Sequence, residues 1–146
     1  MRAFYLLCVA LLCLSCSDDT DDFGDQNDQE ILAYIESHNL NAQKTSSGLY
    51  YVITRQGTGV KPTSTSNVTV NYKGYFVDDR LFEENKNASF NLQNVIAGWR
   101  EGLTYFNEDT EGFLLIPSKL GYGSAGKNGI PGGAALVFSI HLLKVN

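Results

Sequence analysis

The chain has 146 residues, of which 43% are hydrophobic, 18% charged and 12% aromatic, with a formal net charge of -5. That length fits one domain rather than two. No Lys/Arg cluster offers a basic face that would neutralise phosphates, so nucleic acid is not expected as a partner.

Arg2 precedes an apolar run from Phe4 to Leu14, about half of the ~20 residues that a bilayer-spanning helix needs, so residues 1–15 read as an export signal. The run closes on Leu14-Ser15-Cys16, which resembles the lipobox of bacterial lipoproteins. This implies cleavage before Cys16, acylation of that cysteine and attachment to a lipid membrane in the cell envelope. Cys8 and Cys13 leave with the signal, so the mature chain has no intramolecular disulfide and rests on its apolar core. Asp18, Asp19, Asp21, Asp22, Asp25, Asp28 and Glu30 meet no base, whereas nine acids face ten bases from Ile31 onward. The acidity therefore belongs to residues 16–30, which composition predicts to be a flexible tether. The Ser-Asp-Asp run after Cys16 is similar to a surface-export signal of bacterial lipoproteins, which points to the outer membrane, on its periplasmic or its outer side.

Residues 31–146 form the expected domain, with 31–60 as an extension and first strand and 61–146 as its core. Asn27 and Glu30 stand three apart before Ile31, Leu32, Tyr34, Ile35 and His38, a capping-box-like start to an amphipathic helix ending near Asn39. This helix is expected to pack on the domain or to space it from the membrane. Residues 49–54 alternate as a strand that Gly57-Thr58-Gly59 ends. Val68, Val70 and Tyr72 alternate with Thr69, Asn71 and Lys73, which turns Tyr72 inward. Asn94 is placed to cap a short helix that aligns Val95, Ile96, Trp99 and Leu103, with Gly98 permitting close backbone approach. Residues 111–116 and 135–145 complete the strands of an α+β domain.

Four blocks of this sequence are similar to a known family. They are Val68-Thr69-Val70-Asn71-Tyr72-Lys73-Gly74, the stretch from Phe90 through Val95-Ile96-Ala97-Gly98-Trp99 to Leu103, Leu115-Ile116-Pro117-Ser118-Lys119-Leu120-Gly121-Tyr122-Gly123, and Gly129-Ile130-Pro131-Gly132-Gly133-Ala134-Ala135-Leu136-Val137-Phe138. In residue type, order and spacing they resemble FKBP-type peptidyl-prolyl cis-trans isomerases, over about two-thirds of the chain. The resemblance implies a curved antiparallel sheet wrapped around one short helix, and rotation about Xaa-Pro bonds of polypeptide substrates without a cofactor or a metal.

That rotation is slow because amide resonance sets a barrier of roughly 18–20 kcal/mol. Its transition state is a twisted imide with a ketone-like carbonyl, so a catalyst needs a dry apolar pocket and a few placed hydrogen bonds. On the family pattern Trp99 is the floor under the proline ring. Tyr72, Phe82, Val95, Ile96, Ile130 and Phe138 are its walls, and Phe90 joins the substrate contacts. The Ile96 N–H would bond one substrate carbonyl and the Tyr122 hydroxyl the other, beneath a flap running from Gly121 to Gly133. Macrolide ligands of relatives are expected in the same pocket.

Several positions depart from the pattern. Glu83 replaces the usual Asp after Phe82, Gly132-Gly133 replaces Pro-Asn and is expected to loosen the flap, and Ala88 stands where an aromatic is common. Asp109 and Glu111 replace a glycine and a base, and Lys127 takes a place often held by His. These changes point to reduced activity and keep a rival reading open, a polypeptide-binding chaperone or surface-binding lipoprotein on the same fold. Gly121 to Asn128 approaches a phosphate-loop spacing but lacks the Ser/Thr for Mg²⁺ and runs into Pro131. His38 and His141 have no Cys partner in the mature domain, so His141 reads as a strand-face residue rather than a ligand.

Overall fold

The computed structural model describes residues 23–146; the expected signal, Cys16 and the acids up to Asp22 lie outside the described residues. Helix α1 spans Gly24–Ser37 and begins three residues before the expected start. Asn27 is not its cap but a fully buried residue inside its first turns. Residues 24–30 of the expected tether are thus helical. Charge density alone overstated disorder here, because Ile31 and Tyr34 bury themselves on the sheet while Asp25 stays exposed and Asp28 finds polar partners there. Apolar docking of this kind outweighs a poor local composition.

Six strands follow: β1 (Gln43–Lys44), β2 (Tyr50–Arg55), β3 (Asn67–Phe76), β4 (Leu81–Asn91), β5 (Glu111–Ile116) and β6 (Leu136–Val145). They form one sheet in the order β1-β2-β5-β6-β3-β4, with every pairing antiparallel. Sequence reading missed β4. Its residues Glu83 to Asn87 are polar and exposed on both sides, so no period-2 signal marks it. Register shifts between Val70 and Tyr72 and between Gly74 and Tyr75 bend β3 against β4, as bulges do.

Helix α2, Ala97–Gly102, lies in the concave side of the sheet. Its cap is Ile96 rather than Asn94 (φ -57°, ψ 151°). A single 3₁₀ turn, Leu92–Asn94, precedes it, with the Asn91 side chain accepting from the Gln93 N–H at 2.9 Å. The inner core gathers Val68, Val70, Leu92, Leu103, Phe106, Leu114 and Leu142 around Trp99. On the opposite face α1 covers Tyr50, Val52, Leu115 and Val137. Strict alternation along β5 and β6 feeds both layers, since neighbouring residues point to opposite faces.

One polar contact pins α1 to the sheet. Asp28 Oδ1 accepts from Lys44 Nζ at 2.7 Å and from the Tyr50 hydroxyl at 2.8 Å, and these bonds hold the Asp28 carboxyl below its usual range. A carboxyl that titrates lower when folded contributes stability above the ordinary Asp range near 4, and loses it as pH falls through the folded value. Asp28→Asn is therefore expected to lower the melting temperature at pH 7, with the gap to wild type closing as pH is taken toward 3. A gap that stays constant over that range would remove this role.

Candidate functional site

Between α2, β3, β4 and the loop after β5 lies an open cavity of about 280 Å³. Trp99 forms part of its wall, held by α2, and is only 4% exposed. The Trp99 ring meets Tyr72 at 5.0 Å, Phe138 at 5.3 Å and Phe90 at 5.6 Å between centroids, each edge-on. Such T-shaped pairs are each worth about 0.5–1.5 kcal/mol beyond area burial and fix ring orientation. Trp99 Nε1 is buried with no hydrogen-bond partner among the described residues, a cost of about 1–3 kcal/mol that a plain hydrocarbon ring would avoid.

Sequence reading and structure meet closely at this cavity. Tyr72, Glu83, Phe90, Val95, Ile96, Trp99, Tyr122 and Phe138 all line it. Phe82 and Ile130 do not. They line an adjoining cavity of about 190 Å³ that shares Glu83, Tyr122 and Lys127 with the first. Phe82 instead packs edge-on against Phe138 at 5.7 Å and so supports a wall from behind. Asn94 was read as a cap and is a lining residue. Lys127 lines both cavities, and its Nζ stands 5.2 Å from the Tyr122 ring centroid, a cation–π contact. Lys127 falls within the expected flap, whereas no periodic or motif signal turned Asn94 toward the cavity.

Ile96 gives its carbonyl to the Trp99 N–H at 3.0 Å and the Arg100 N–H at 3.1 Å, whereas its own N–H precedes the helical ladder. Arg100 Nε reaches back to the Leu92 carbonyl at 3.1 Å, which ties the approach to α2 and hence the Ile96 backbone. Burial, with the Glu83 carboxylate beside it, pushes the Tyr72 phenol well above its ordinary value. The phenol therefore stays protonated at any physiological pH, a donor and not an anion.

Residues 121–133 form the flap, a series of turns with Gly123, Gly126, Gly129 and Gly133 at positive φ. At Gly132-Gly133, where loosening is expected, the backbone itself is closely surrounded. A Cβ on Gly133 (φ 76°) would stand 2.5 Å from the Phe23 ring, and one on Gly132 would collide with the Ser124 backbone. These glycines permit close packing instead.

The other departures are remote from the cavity. Asp109 pairs with Arg55 at 3.1 Å and with His141 Nε2 at 2.7 Å, and Glu111 pairs with Arg55 at 3.2 Å. His141 and Arg55 hold the Asp109 carboxyl low, and Arg55 does the same for Glu111. His141 is the strand-face residue expected, on β6. Glu111 and His141 also border a groove of about 340 Å³ on the outer face of the sheet, beside Lys73 and Glu84. Its rim is charged, and Phe113 and Ile140 are among the residues that line it. Ala88 lies partly buried against the inner core. Among the described residues no group of three His, Cys, Asp or Glu side chains is arranged to hold a metal, and no helix is long and apolar enough to cross a membrane.

Comparison with known proteins agrees with this geometry. The chain is 42% identical over 107 residues to the FKBP-type peptidyl-prolyl cis-trans isomerase FkpA of Escherichia coli K12, covering 70% of this chain and 40% of that protein. It is 34% identical over 131 residues to FkpA of Aeromonas hydrophila, covering 87% of this chain and 49% of that one. The chain thus spans less than half the length of these relatives. The crystal structure of FkpA from Escherichia coli superposes with a TM-score of 0.76 at 34% identity, covering 86% of this chain and 62% of that chain. A peptidyl-prolyl cis-trans isomerase from Pseudomonas syringae gives a TM-score of 0.77 at 26% identity, covering 87% of this chain and 96% of that one. Residues 58–143 match the family model of the FKBP-type peptidyl-prolyl cis-trans isomerases, and with the sheet, the central helix and the aromatic cavity in place, the chain belongs to that family.

Proposed function

We propose that this protein is a cofactor-free peptidyl-prolyl cis-trans isomerase that assists the folding of exported proteins while tethered to the cell envelope through acylated Cys16. The observation that carries the enzymatic reading is the cavity in which Trp99 is fixed by three edge-on aromatic neighbours, within a chain of isomerase family. The tether rests on the lipobox-like Leu14-Ser15-Cys16 after an apolar run. The Ser-Asp-Asp run that follows favours the outer membrane.

The chemistry asks little beyond shape and a few hydrogen bonds. A proline ring seated against Trp99 leaves water, and its imide loses the hydration that favours the planar, resonance-stabilised form. The Ile96 N–H and the Tyr122 hydroxyl can hold the flanking carbonyls while the C–N bond turns. Only interactions stronger in the twisted form accelerate the step. Tyr72, protonated and beside Glu83, supplies a further fixed dipole in the wall, and no proton has to move. Macrolides that mimic a twisted imide fit the same requirements.

The test is a protease-free isomerisation assay on a proline-containing peptide with the purified chain. Conversion from cis to trans is expected to run well above the buffer rate, with Tyr122→Phe lowering kcat/KM by about tenfold, the scale for loss of one oriented hydrogen bond. Absence of any acceleration would end the enzymatic reading. Trp99 is the single tryptophan, so its fluorescence reports macrolide titration at the cavity directly. Labelling with a radioactive fatty acid, lost in Cys16→Ala, tests the anchor.

A further inference from the structure

We infer that Asn27, on α1 and outside the cavity, is a positioning residue for the flap and through it for Tyr122; this rests on the isomerase reading above. Asn27 is fully buried and bonds residues 106 and 91 positions away, besides donating from Nδ2 to Glu30 Oε2 at 3.4 Å within its own helix. Its Nδ2 donates to the Gly133 carbonyl at 2.9 Å, and its Oδ1 accepts from the Ser118 N–H at 2.8 Å and from the Ser118 hydroxyl at 2.7 Å. Within the loop, the Gly123 N–H donates to the Ser118 carbonyl at 2.8 Å and the Gly133 N–H donates to the Gly123 carbonyl at 2.9 Å. The four links close into a ring, Asn27 to Ser118 to Gly123 to Gly133 and back to Asn27. The last residue of the flap and Ser118, just ahead of its start, therefore meet at one side chain, and Tyr122 is covalently adjacent to a member of the ring.

Two features make the amide, rather than general packing, responsible for where the flap sits. A carboxamide presents a donor to a carbonyl and an acceptor to an N–H at once, which no hydrocarbon, amine or ionised carboxylate of that size can do. Behind the base of the flap, moreover, the described residues leave space open. A cavity of about 210 Å³ lies among Phe23, Gly24, Asn27, Ser118, Lys119, Gly123 and Ser124. The ring of hydrogen bonds ties the base of the flap to α1 beside the Phe23 ring packed against Gly133, while Ile130 seats the far part of the flap in the inner core. Loss of the ring frees the flap to sink toward that space and carries the Tyr122 hydroxyl away from the cavity. Displacements of this kind can cost up to a hundredfold in rate without touching the reacting bond.

The experiment compares Asn27→Ala and Asn27→Leu with Ile31→Val, which trims a buried α1 residue but leaves the ring whole. Peptide isomerisation kinetics are measured together with amide hydrogen exchange at Gly123 and Gly133. Both Asn27 variants are expected to lose about tenfold or more in kcat/KM, with those two amides exchanging at least about tenfold faster while amides of β3 and β6 hold their rates. Ile31→Val is expected to stay within about twofold in kcat/KM at a comparable loss of melting temperature. Ser118→Ala, which removes one hydroxyl from the network and no backbone, serves if the Asn27 variants do not fold. It is expected to move both readouts the same way by about twofold to threefold. An active wild type with Asn27 variants that track Ile31→Val overturns the inference and spares the isomerase reading. If wild type proves inactive that reading fails by itself, and unchanged exchange at Gly123 and Gly133 would then overturn the positioning role independently.

Discussion

Trp99→Ala is expected to lower the free energy of unfolding by about 3–5 kcal/mol, the range for truncating a large buried aromatic. The indole is 4% exposed and edge-on to Tyr72, Phe90 and Phe138, so its removal empties the centre of the inner core and leaves three rings without their common partner. Circular dichroism in denaturant provides the measurement, since the variant has no tryptophan to report. Isomerase activity is expected to fall to near the buffer rate, because the wall that Trp99 gives the cavity is gone. Trp99→Phe separates the two effects. It keeps an aromatic wall and discards the unpartnered Nε1–H, and is expected to lose less stability than the alanine variant. An alanine variant that unfolds at the wild-type midpoint would show that the ring does not hold the core together.

Gly98→Val is the second large effect. A Cβ at residue 98 would stand 2.6 Å from Cγ2 and 2.7 Å from Cδ1 of Ile116, so α2 touches β5 there with no room for a side chain. Adding a branched residue forces the helix away from the strand, at about 1–3 kcal/mol for overpacking, and lifts the adjacent Trp99 from its neighbours. Activity is expected to fall with stability. Ile116→Ala alone is expected to cost about 2–5 kcal/mol through its cavity. Combined, the two changes are complementary in volume, and the double variant is expected to be more stable than the sum of the singles by about 0.5–3 kcal/mol. Strict additivity in a denaturant series would mean that the helix does not register on Ile116.

Much of this was legible in the residues themselves. Alternation along 68–73 and 135–145 gave β3 and β6, and it turned Tyr72 inward because a sheet with one wet face enforces period two. The cavity residues came from order and spacing of the four blocks, which periodicity cannot supply, since a core ring and a pocket ring look alike along a strand. What escaped shares a cause. Strand β4 is held by backbone pairing to β3, and its exposed Glu, Asn and Lys residues carry no pattern. Asn27 looked like a cap because Asn favours helix starts, while its partners lie far away in sequence. Asn94 reaches the cavity through a turn, where side-chain direction follows from backbone geometry rather than composition. The acid-rich segment misled in the opposite sense, for its last seven residues are ordered by what α1 buries.

The strand order has a consequence for biosynthesis. Strand β6 lies between β5 and β3, paired to both, although it follows every other strand in the chain. Until residues 136–145 have emerged from the ribosome or the translocon, the two halves of the sheet have no common neighbour and the hydrophobic faces of β3 and β5 remain open. Assembly must therefore wait for β6, and closing such distant segments makes folding slower than in domains built from local contacts. During that interval the open strand edges of the nascent chain are exposed to pairing with other chains.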